Sequence, residues 1–277
     1  MMHPSIDLHT HSFASDGAFS PTDVIKKAKN KGIETIALTD HDTVAGLKEA
    51  QQAANQANIN FVNGIEFSTE WNTKPIHVVG LNINPESEYI INAVDQLKEL
   101  REERANRISH KLKKAGIDNA YENAKRIAAG GTVTRFHFAQ YIIESGHAKN
   151  QSDVFKRFLV RNKPGHVAVS WPSLENTIKT INNAGGVAII AHPMRYKMTA
   201  TKLRKLIADF KVLNGSAIEV VTGNNNPDEI KLAAQYALTY DIAASIGSDF
   251  HNEETSWNQL GKLKPLPKEL TPVWELW

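Results

Sequence analysis

Apolar and polar positions along the chain alternate between two periods, which predicts strands separated by helices. Continuous apolar runs such as "IETIALTD", "VAIIAH" and "SAIEVV" indicate buried strands. Between such runs, "SPTDVIKKAKNKG" and "SLENTIKTINNAGG" have the apolar spacing of amphipathic helices that end at glycine. Repeated strand–helix units of this kind are typical of a parallel sheet covered by helices. Roughly seven strands favour a closed or distorted barrel over an open sheet.

The middle of the chain interrupts this alternation. Residues 86–167 contain helical runs, among them "AYENAKRIAAGG" and "TRFHFAQYIIESG", and no convincing strand pattern. We therefore predict an α/β protein in which residues 1–85 and 168–277 form the barrel and residues 86–167 form a helical insertion. The insertion carries 15 Lys and Arg against 10 Asp and Glu. Such an excess is typical of a solvated helix face, and it also suits a surface that faces phosphate.

Composition restricts the kinds of site that the chain can build. Its 277 residues include no cysteine, so a transition-metal site would need His, Asp or Glu as ligands. The formal charge of +2 is too small to indicate nucleic-acid binding by itself. No stretch has the length and hydrophobicity of a membrane span, and the first residues lack a secretion signal. We therefore expect a cytoplasmic protein without a membrane partner.

Histidine and carboxylate residues lie at the predicted strand ends. His9 and His11 end the strand "IDLHTH", and His192 ends "VAIIAH". Because the carboxyl ends of parallel barrel strands meet at one face, residues far apart in the sequence converge there. Imidazole and carboxylate ligands suit Zn, Mn or Fe. The candidate ligands at these ends are His9, His11, His41, Glu66, His77, His192, Asp249 and His251.

Each of these residues also has a simpler interpretation, because a single histidine at a strand end is most often a surface or hydrogen-bonded residue. His77 is the weakest candidate, since it begins its apolar run, and Asp16 in "SDG" could belong to a turn. Glu66 is harder to explain, since a carboxylate within an apolar strand needs a cation or strong donors. The pattern as a whole therefore indicates a metal site. The histidines given no role are His3, His110, His147 and His166, while His137 is left open.

Several separated motifs occur in a fixed order: "DLHTHSFASDG", "ALTDHDTVAG", "GIE", "HVVG", "AHP" and "GSDFH". They resemble the motifs of the PHP (polymerase and histidinol phosphatase) family of metallophosphoesterases over residues 6–251. The segments "TRFHFAQYIIESG" and "AHPMRY" are similar to a bacterial subgroup of nucleoside 3′,5′-bisphosphate phosphatases, some of which also act as 5′-to-3′ exoribonucleases on short RNA. The resemblance implies a distorted (β/α)7 barrel that holds up to three divalent ions at the strand ends.

The resemblance also implies which residues hold each ion. The first ion would be bound by His9, His11, Glu66 and Asp249. The second would be bound by Glu66, His77 and His192, and the third by Asp16, His41 and His251. Many relatives have histidine at the position of Asp16, and an oxygen ligand there favours Mn or Mg over Zn. We therefore expect Mn, with Zn, Fe and Mg as the other candidates.

For a member of this family we expect hydrolysis of a phosphate ester by a metal-bound hydroxide that attacks phosphorus in line. The residues expected to take part directly are His9, His11, Glu66, His192 and His251. A nucleotide with two phosphates needs further cationic partners, for which the candidates are Arg135, Lys163 and Arg195. Ser12, next to His11, could donate to a phosphate oxygen. The expected substrates are the 3′-phosphate of a nucleoside 3′,5′-bisphosphate and short 5′-phosphorylated RNA.

Three alternatives to this function stay open at this point. A histidinol-phosphate phosphatase, or another small phosphomonoesterase, would use the same metal ligands without a second phosphate site. An amidohydrolase shares the H-x-H start, but it typically uses a bridging lysine or its carbamate where this chain has Glu66. A degenerate member would bind metal or nucleic acid without catalysis, although every expected ligand is present. No obligate protein partner is evident, and the segment "TPVWELW" packs either on the barrel or on a partner.

Overall fold

Seven strands form one sheet in which every strand lies beside its neighbour in the sequence. A computed structural model describes residues 5–254 and 257–277, so His3 lies outside the described residues. The strand order is β1-β2-β3-β4-β5-β6-β7. The strands are β1 (Ile6–Asp7), β2 (Thr35–Leu38), β3 (Asn60–Trp71), β4 (Lys74–Leu81), β5 (Val187–Ile190), β6 (Ala217–Thr222) and β7 (Ala243–Gly247).

Backbone contacts between the first and last strands close the sheet into a barrel. The Leu8 N–H donates to the Ile246 carbonyl at 3.0 Å, and the Asp249 N–H donates to the His9 carbonyl at 2.8 Å. Thr10 and Phe250 form a parallel bridge beyond these contacts. The predicted α/β class with a distorted seven-stranded barrel is thus confirmed.

The prediction of a parallel sheet is wrong for β4, which pairs antiparallel with both β3 and β5. Only two residues, Asn72 and Thr73, join β3 to β4, and both have positive φ values, of 48° and 59°. This geometry is typical of a tight hairpin turn, which has no room for a crossover helix. As a consequence, the beginning of β4 lies at the end of the barrel where the parallel strands finish.

Helices cover the outside of the barrel, and the helices α3 to α6 follow one another between β4 and β5. Each of the helices α1, α7, α8 and α9 follows a polar residue whose side chain accepts a hydrogen bond from the first turn. The helices of the described residues are α1 (Pro21–Asn30), α2 (Leu47–Ala57), α3 (Glu88–Lys114), α4 (Ala120–Ile127), α5 (Arg135–Glu144), α6 (Gln151–Val154), α7 (Leu174–Asn183), α8 (Ala200–Val212) and α9 (Pro227–Thr239). None of these helices has the length and apolar character needed to cross a membrane.

The long helix α3 connects the barrel to a second hydrophobic cluster. Its first half contributes Ile90 and Leu97 to the core that lies between the sheet and its helices. Its second half contributes Ile108 and Leu112 to a separate cluster formed with α4, α5 and the π-helical turn Phe155–Leu159. The middle of α3, around Arg101, therefore lies where the two clusters meet.

The barrel interior is a small apolar cluster that the C-terminal segment closes at one end. Alternate strand residues divide between two sides, since Ala37 belongs to the interior cluster whereas Ile36 and Leu38 pack against the helices. Val273 is fully buried in the interior cluster, and the Ala244 N–H donates to the Thr271 carbonyl at 2.9 Å. The segment "TPVWELW" thus packs on the barrel.

We predict that Val273→Ala lowers the free energy of unfolding by about 2 kcal/mol, because it removes two fully buried methyl groups from a packed interior. Urea unfolding of the metal-free protein measures this change. Val212→Ala is the matched control, since Val212 is 81% exposed and the same substitution there should change stability by less than about 0.5 kcal/mol. Equal effects at the two positions would show that Val273 does not seal the barrel.

Candidate functional site

The end of β1 brings two histidine rings into direct contact. His9 and His11 are fully buried, and their Nε2 atoms lie 3.1 Å apart. Two ring nitrogens this close to each other indicate that the histidines share either a bound ion or a proton.

Two carboxylates complete this first donor set. An oxygen of Glu66 lies 3.3 Å from the Nε2 atoms of both His9 and His11. An oxygen of Asp249 lies 3.5 Å from His9 Nε2 and 3.1 Å from His11 Nε2. Donor atoms that share one ion at ligand distances of about 2.0–2.2 Å lie about 3 Å apart. The four side chains therefore form one donor set whose spacing suits a divalent ion.

Glu66 lies in the middle of β3 and also faces a second group of histidines. Its Oε1 atom is 2.9 Å from His77 Nδ1 and 3.0 Å from His192 Nε2. Its Oε2 atom is 2.9 Å from His41 Nδ1, yet within the described chain this buried oxygen has no partner in hydrogen-bond geometry. Nitrogen atoms of His9, His11 and His41 thus lie around Glu66 Oε2 without hydrogen-bonding to it, which suits an ion placed between them. His77 reaches this position because β4 runs antiparallel.

A third group lies around Asp16, in the loop after β1. Asp16 Oδ1 is 3.3 Å from His251 Nε2 and 3.9 Å from His41 Nε2. The rings of His11 and His251 stack with their centroids 4.1 Å apart, so His11 belongs to this group as well as to the first. His11, His41 and Glu66 each belong to more than one group, and the three groups form one continuous cluster.

Contacts between carboxylates and histidines in this cluster shift the pKa values of both. Burial disfavours the anion of Glu66, but the surrounding histidines, above all His41 and His77, hold the pKa of its carboxyl well below the ordinary range. Burial likewise opposes protonation of His11, but its contacts with Asp249 and Glu66 raise its pKa to about 10. The carboxylates are thus anionic, and His9 and His11 supply positive charge when no metal does. Burial lowers the pKa of His41 and of His192, which favours neutral rings at these two positions.

Asp40, a carboxylate outside the donor cluster, holds the loop that carries Asp16. Its oxygens accept hydrogen bonds from the Ser12 N–H at 2.8 Å, the Ser12 hydroxyl at 2.7 Å and the Ser15 hydroxyl at 2.6 Å. Ser12 is fully buried and its hydroxyl already donates to Asp40, so the structure does not place it toward a substrate. The sequence suggested Ser12 as a phosphate donor because of its proximity to His11, and did not indicate Asp40.

The donor cluster opens into a cavity of about 950 Å³ between the barrel and the helices α3 and α5. Four arginines line it, and three of them lie close enough together to repel each other. We call these three, Arg101, Arg104 and Arg135, the arginine wall. The Cζ atoms of Arg101 and Arg104 lie 5.3 and 5.4 Å from the ring centre of Trp171. Stacking on this ring orders the two guanidinium groups.

The three arginines differ in how their charges are paired. Arg101 is buried, and its Nε donates to Asp42 at 2.7 Å while its terminal nitrogen donates to Ser68 at 3.0 Å. Arg104 Nε is buried and has no hydrogen-bond partner among the described residues. Burial, with repulsion from Arg135 and Arg101, lowers the pKa of Arg104 to about 9. The wall therefore carries positive charge that an anion in the cavity would stabilise.

The structure separates the three cationic candidates that the sequence suggested. Arg135 lines the cavity as part of the arginine wall, whereas Lys163 is exposed and lies outside the wall that the described residues form. Arg195 contacts the carboxylate of Asp249 and donates to Asn224 at 3.1 Å, so it supports the donor cluster. Among the residues that the sequence did not suggest, Arg101, Arg104, Arg161 and His166 line the cavity.

Comparison with known proteins places the chain in a family. The PHP domain family matches residues 7–169. A 5′-3′ exoribonuclease of Haemophilus influenzae is 43% identical over 274 residues, which cover 99% of this chain and 99% of that protein. A 3′,5′-nucleoside bisphosphate phosphatase of Chromobacterium violaceum is 39% identical over 98% of this chain and 95% of that protein.

A solved structure supports the same placement. A Chromobacterium violaceum protein described as an amidohydrolase, with bound sulfate and no metal, has a TM-score of 0.92 and 39% identity and covers 98% of this chain and 95% of its own. The chain belongs to the PHP domain family, which confirms the resemblance seen in its motifs. It is a hydrolase of the phosphoesterase type.

We predict that acid weakens the start of α5, which carries Arg135 into the cavity. The Thr134 N–H donates to His137 Nδ1 at 3.0 Å, and burial holds the pKa of His137 below its ordinary value of 6.5. Because the folded state keeps His137 neutral while the unfolded state takes up a proton, stability falls as the pH drops below about 6.5. Urea unfolding between about pH 7 and pH 5 should therefore show a steeper loss for the natural protein than for His137→Gln.

Exposed His110 provides the control for this prediction. His110→Gln should leave the slope of stability against pH as it is in the natural protein. The same slope in all three proteins would exclude His137 as the acid-sensitive group.

Proposed function

We propose that the protein is a metal-dependent phosphoesterase that removes the 3′-phosphate of nucleoside 3′,5′-bisphosphates and also degrades short 5′-phosphorylated RNA. The observation that carries this proposal is the arginine wall, which lines the same cavity as the cluster of histidine and carboxylate donors. A metal cluster alone would serve any phosphate ester, whereas the wall supplies a second site for an anion. The substrate therefore carries two phosphates.

We assign the donors to ions as the family motifs imply. The first ion would be held by His9, His11, Glu66 and Asp249, the second by Glu66, His77 and His192, and the third by Asp16, His41 and His251. The contact of His41 Nδ1 with Glu66 supports a further contribution of His41 to the second ion. Such ions neutralise charge on a phosphate and activate the attacking water. Oxygen and imidazole donors without sulfur suit Mn, which we favour, and also Zn, Fe and Mg.

The residues of the chain itself bind and orient the substrate. Arg104 and Arg135 would bind the 5′-phosphate, because their guanidinium groups line the cavity and Arg104 Nε has no protein partner among the described residues. Both belong to residues 86–167, which we propose as an insertion that contributes to substrate binding. Asp42 accepts a hydrogen bond from Arg101 and so anchors one arginine of the wall to the barrel. With the 5′-phosphate on the wall, the phosphate on the 3′ oxygen lies at the donors.

The same geometry accounts for two substrate classes. In a bisphosphate and in RNA with a 5′-phosphate, the terminal nucleotide carries a phosphate on its 5′ oxygen and another on its 3′ oxygen. Breaking the bond between phosphorus and the 3′ oxygen releases inorganic phosphate from the first and the rest of the chain from the second. The relatives named as a bisphosphate phosphatase and as a 5′-3′ exoribonuclease support this common reaction. The cavity of about 950 Å³ can accept more than a single phosphate ester group.

The alternatives have less support. Histidinol phosphate carries only one phosphate. If it were the substrate, the buried Nε atom of Arg104, which has no hydrogen-bond partner among the described residues, would stay unpaired. An amidohydrolase typically uses a bridging lysine or its carbamate, whereas here Glu66 lies between the ligand candidates, within 3.3 Å of His9 and 2.9 Å of His77. The sulfate bound to the relative described as an amidohydrolase has the shape of phosphate, which agrees with an oxyanion site. A non-catalytic binding protein would not need every donor.

We predict a higher kcat/KM for 3′-phosphoadenosine 5′-phosphate than for AMP, histidinol phosphate or a simple phosphate ester in the same Mn²⁺ buffer. Arg135→Ala should raise KM for the bisphosphate and for short 5′-phosphorylated RNA by about 10- to 100-fold, because a charge-assisted contact is lost. A simple phosphate ester, which has no second phosphate, should be little affected. Phosphate release and nucleotide chromatography measure these rates.

Lys163→Ala is the matched control, since it removes a cation that is exposed and outside the cavity wall. Its kinetics should be those of the natural protein. Equal losses on all substrates in Arg135→Ala, or a preference for histidinol phosphate in the natural protein, would contradict the assignment of a second phosphate site.

We also predict that His9→Ala lowers the number of Mn²⁺ ions bound per chain and abolishes phosphate release, because His9 belongs to the most buried donor set. Metal content after dialysis gives the stoichiometry. His110→Ala, which removes an exposed histidine, should bind and hydrolyse as the natural protein does. Unchanged stoichiometry in His9→Ala would refute the donor assignment.

A further inference from the structure

One buried carboxylate outside the three donor groups contacts two of the candidate metal ligands, His9 and His192. Glu219 lies on β6 and is 2% exposed. Its Oε1 atom is 2.6 Å from Nδ1 of His9, and its Oε2 atom accepts a hydrogen bond from the backbone N–H of His192 at 2.5 Å. Glu219 thus links ligand candidates of two different strands without belonging to a donor group of the described residues.

Two features of the barrel place this carboxylate. The pairing of β6 with β7 shifts register between Glu219 and Val221, and such a bulge changes the direction of side chains beside it. On the neighbouring strand, a Cβ atom at Gly247 would lie 2.2 Å from His9 Cβ and 3.1 Å from Glu219 Oε1. Any side chain larger than hydrogen at position 247 would therefore displace the pair formed by His9 and Glu219.

The contact determines which nitrogen of His9 can bind a metal. His9 Nε2 faces Glu66 and Asp249, so it can bind an ion only when its ring proton is on Nδ1. A carboxylate 2.6 Å from Nδ1 stabilises this tautomer. The backbone of His192 has a positive φ of 30°, which is unfavourable for histidine, and the second oxygen of Glu219 holds its N–H in place.

We propose that Glu219 is a positioning residue that keeps His9 in the Nε2-binding tautomer and fixes the backbone of His192, and that it thereby increases the affinity of the cluster for divalent ions. This inference rests on the proposed metal cluster. Both partners of Glu219 are hydrogen-bond donors, so only a carboxylate can accept from both. A glutamine of the same size would accept from one and turn its NH₂ group toward the other.

The test uses the full-length metal-free protein and its Glu219→Gln variant, titrated with Mn²⁺ in a calorimeter. We expect binding that is about 10- to 100-fold weaker in the variant. In the ¹⁵N spectrum of histidine-labelled metal-free protein, recorded at a pH high enough for the His9 ring to be neutral, His9 should carry its proton on Nδ1 in the natural chain and partly on Nε2 in the variant. If Glu219 had only a structural role, its replacement would not change the position of the ring proton of His9.

Asp209→Asn is the matched control, because it also removes a carboxylate that accepts a hydrogen bond, from Trp71 Nε1 at 2.9 Å, away from the cluster. It should bind Mn²⁺ as the natural protein does. Natural affinity together with Nδ1-protonated His9 in folded Glu219→Gln would overturn the inference. If that variant does not fold, Glu219→Asp shortens the carboxylate by one methylene, and unchanged Mn²⁺ affinity in it would overturn the inference equally.

The two proposals fail in different ways. If the natural protein binds no Mn²⁺ and releases no phosphate, the proposed function is wrong, whereas the proton position of His9 still reports on Glu219. If the natural protein binds Mn²⁺ and the variants bind it equally well, only the role of Glu219 is wrong.

Discussion

The burial of the Glu66 carboxylate is the constraint on which the rest of the site depends. A fully buried anion is costly unless positive charge surrounds it, and here five imidazole rings lie within contact distance of its two oxygens. Those rings come from different strands or strand ends, so the carboxylate can be satisfied only when the barrel is closed. The same interaction that makes Glu66 tolerable in an apolar strand brings the ligand candidates to one point.

Much of this arrangement could be predicted from the sequence, because ligand-type residues follow recognisable apolar runs. His9, His11, His192 and Asp249 each lie at such a strand end, and the structure brings them together. His77 shows the limit of periodicity alone, since it begins its run and its position depends on the direction of β4. That direction follows from a two-residue turn at Asn72 and Thr73, which an apolar pattern does not reveal.

The supporting residues were harder to predict, for a physical reason. Glu219 sits inside a strand whose pattern reads as core, and only the β-bulge and Gly247 turn it toward His9. Arg101 and Arg104 occupy an ordinary charged helix, in which a buried guanidinium cannot be told from a solvated one. The sequence suggested Arg135, Lys163 and Arg195 for the second phosphate and did not suggest Arg104, which lines the cavity together with Arg135. Long-range packing decides such cases.

The closure of the barrel by residues that are far apart in the sequence also has a consequence for folding. The contact between Leu8 and Ile246 joins the two edges of the sheet across more than two hundred residues, with the helices α3 to α6 between them. Contacts of such high sequence separation form slowly, because the loop they close loses much conformational entropy. The complete donor cluster exists only after this step. Metal uptake during refolding would thus mark the end of the folding reaction and would not nucleate it.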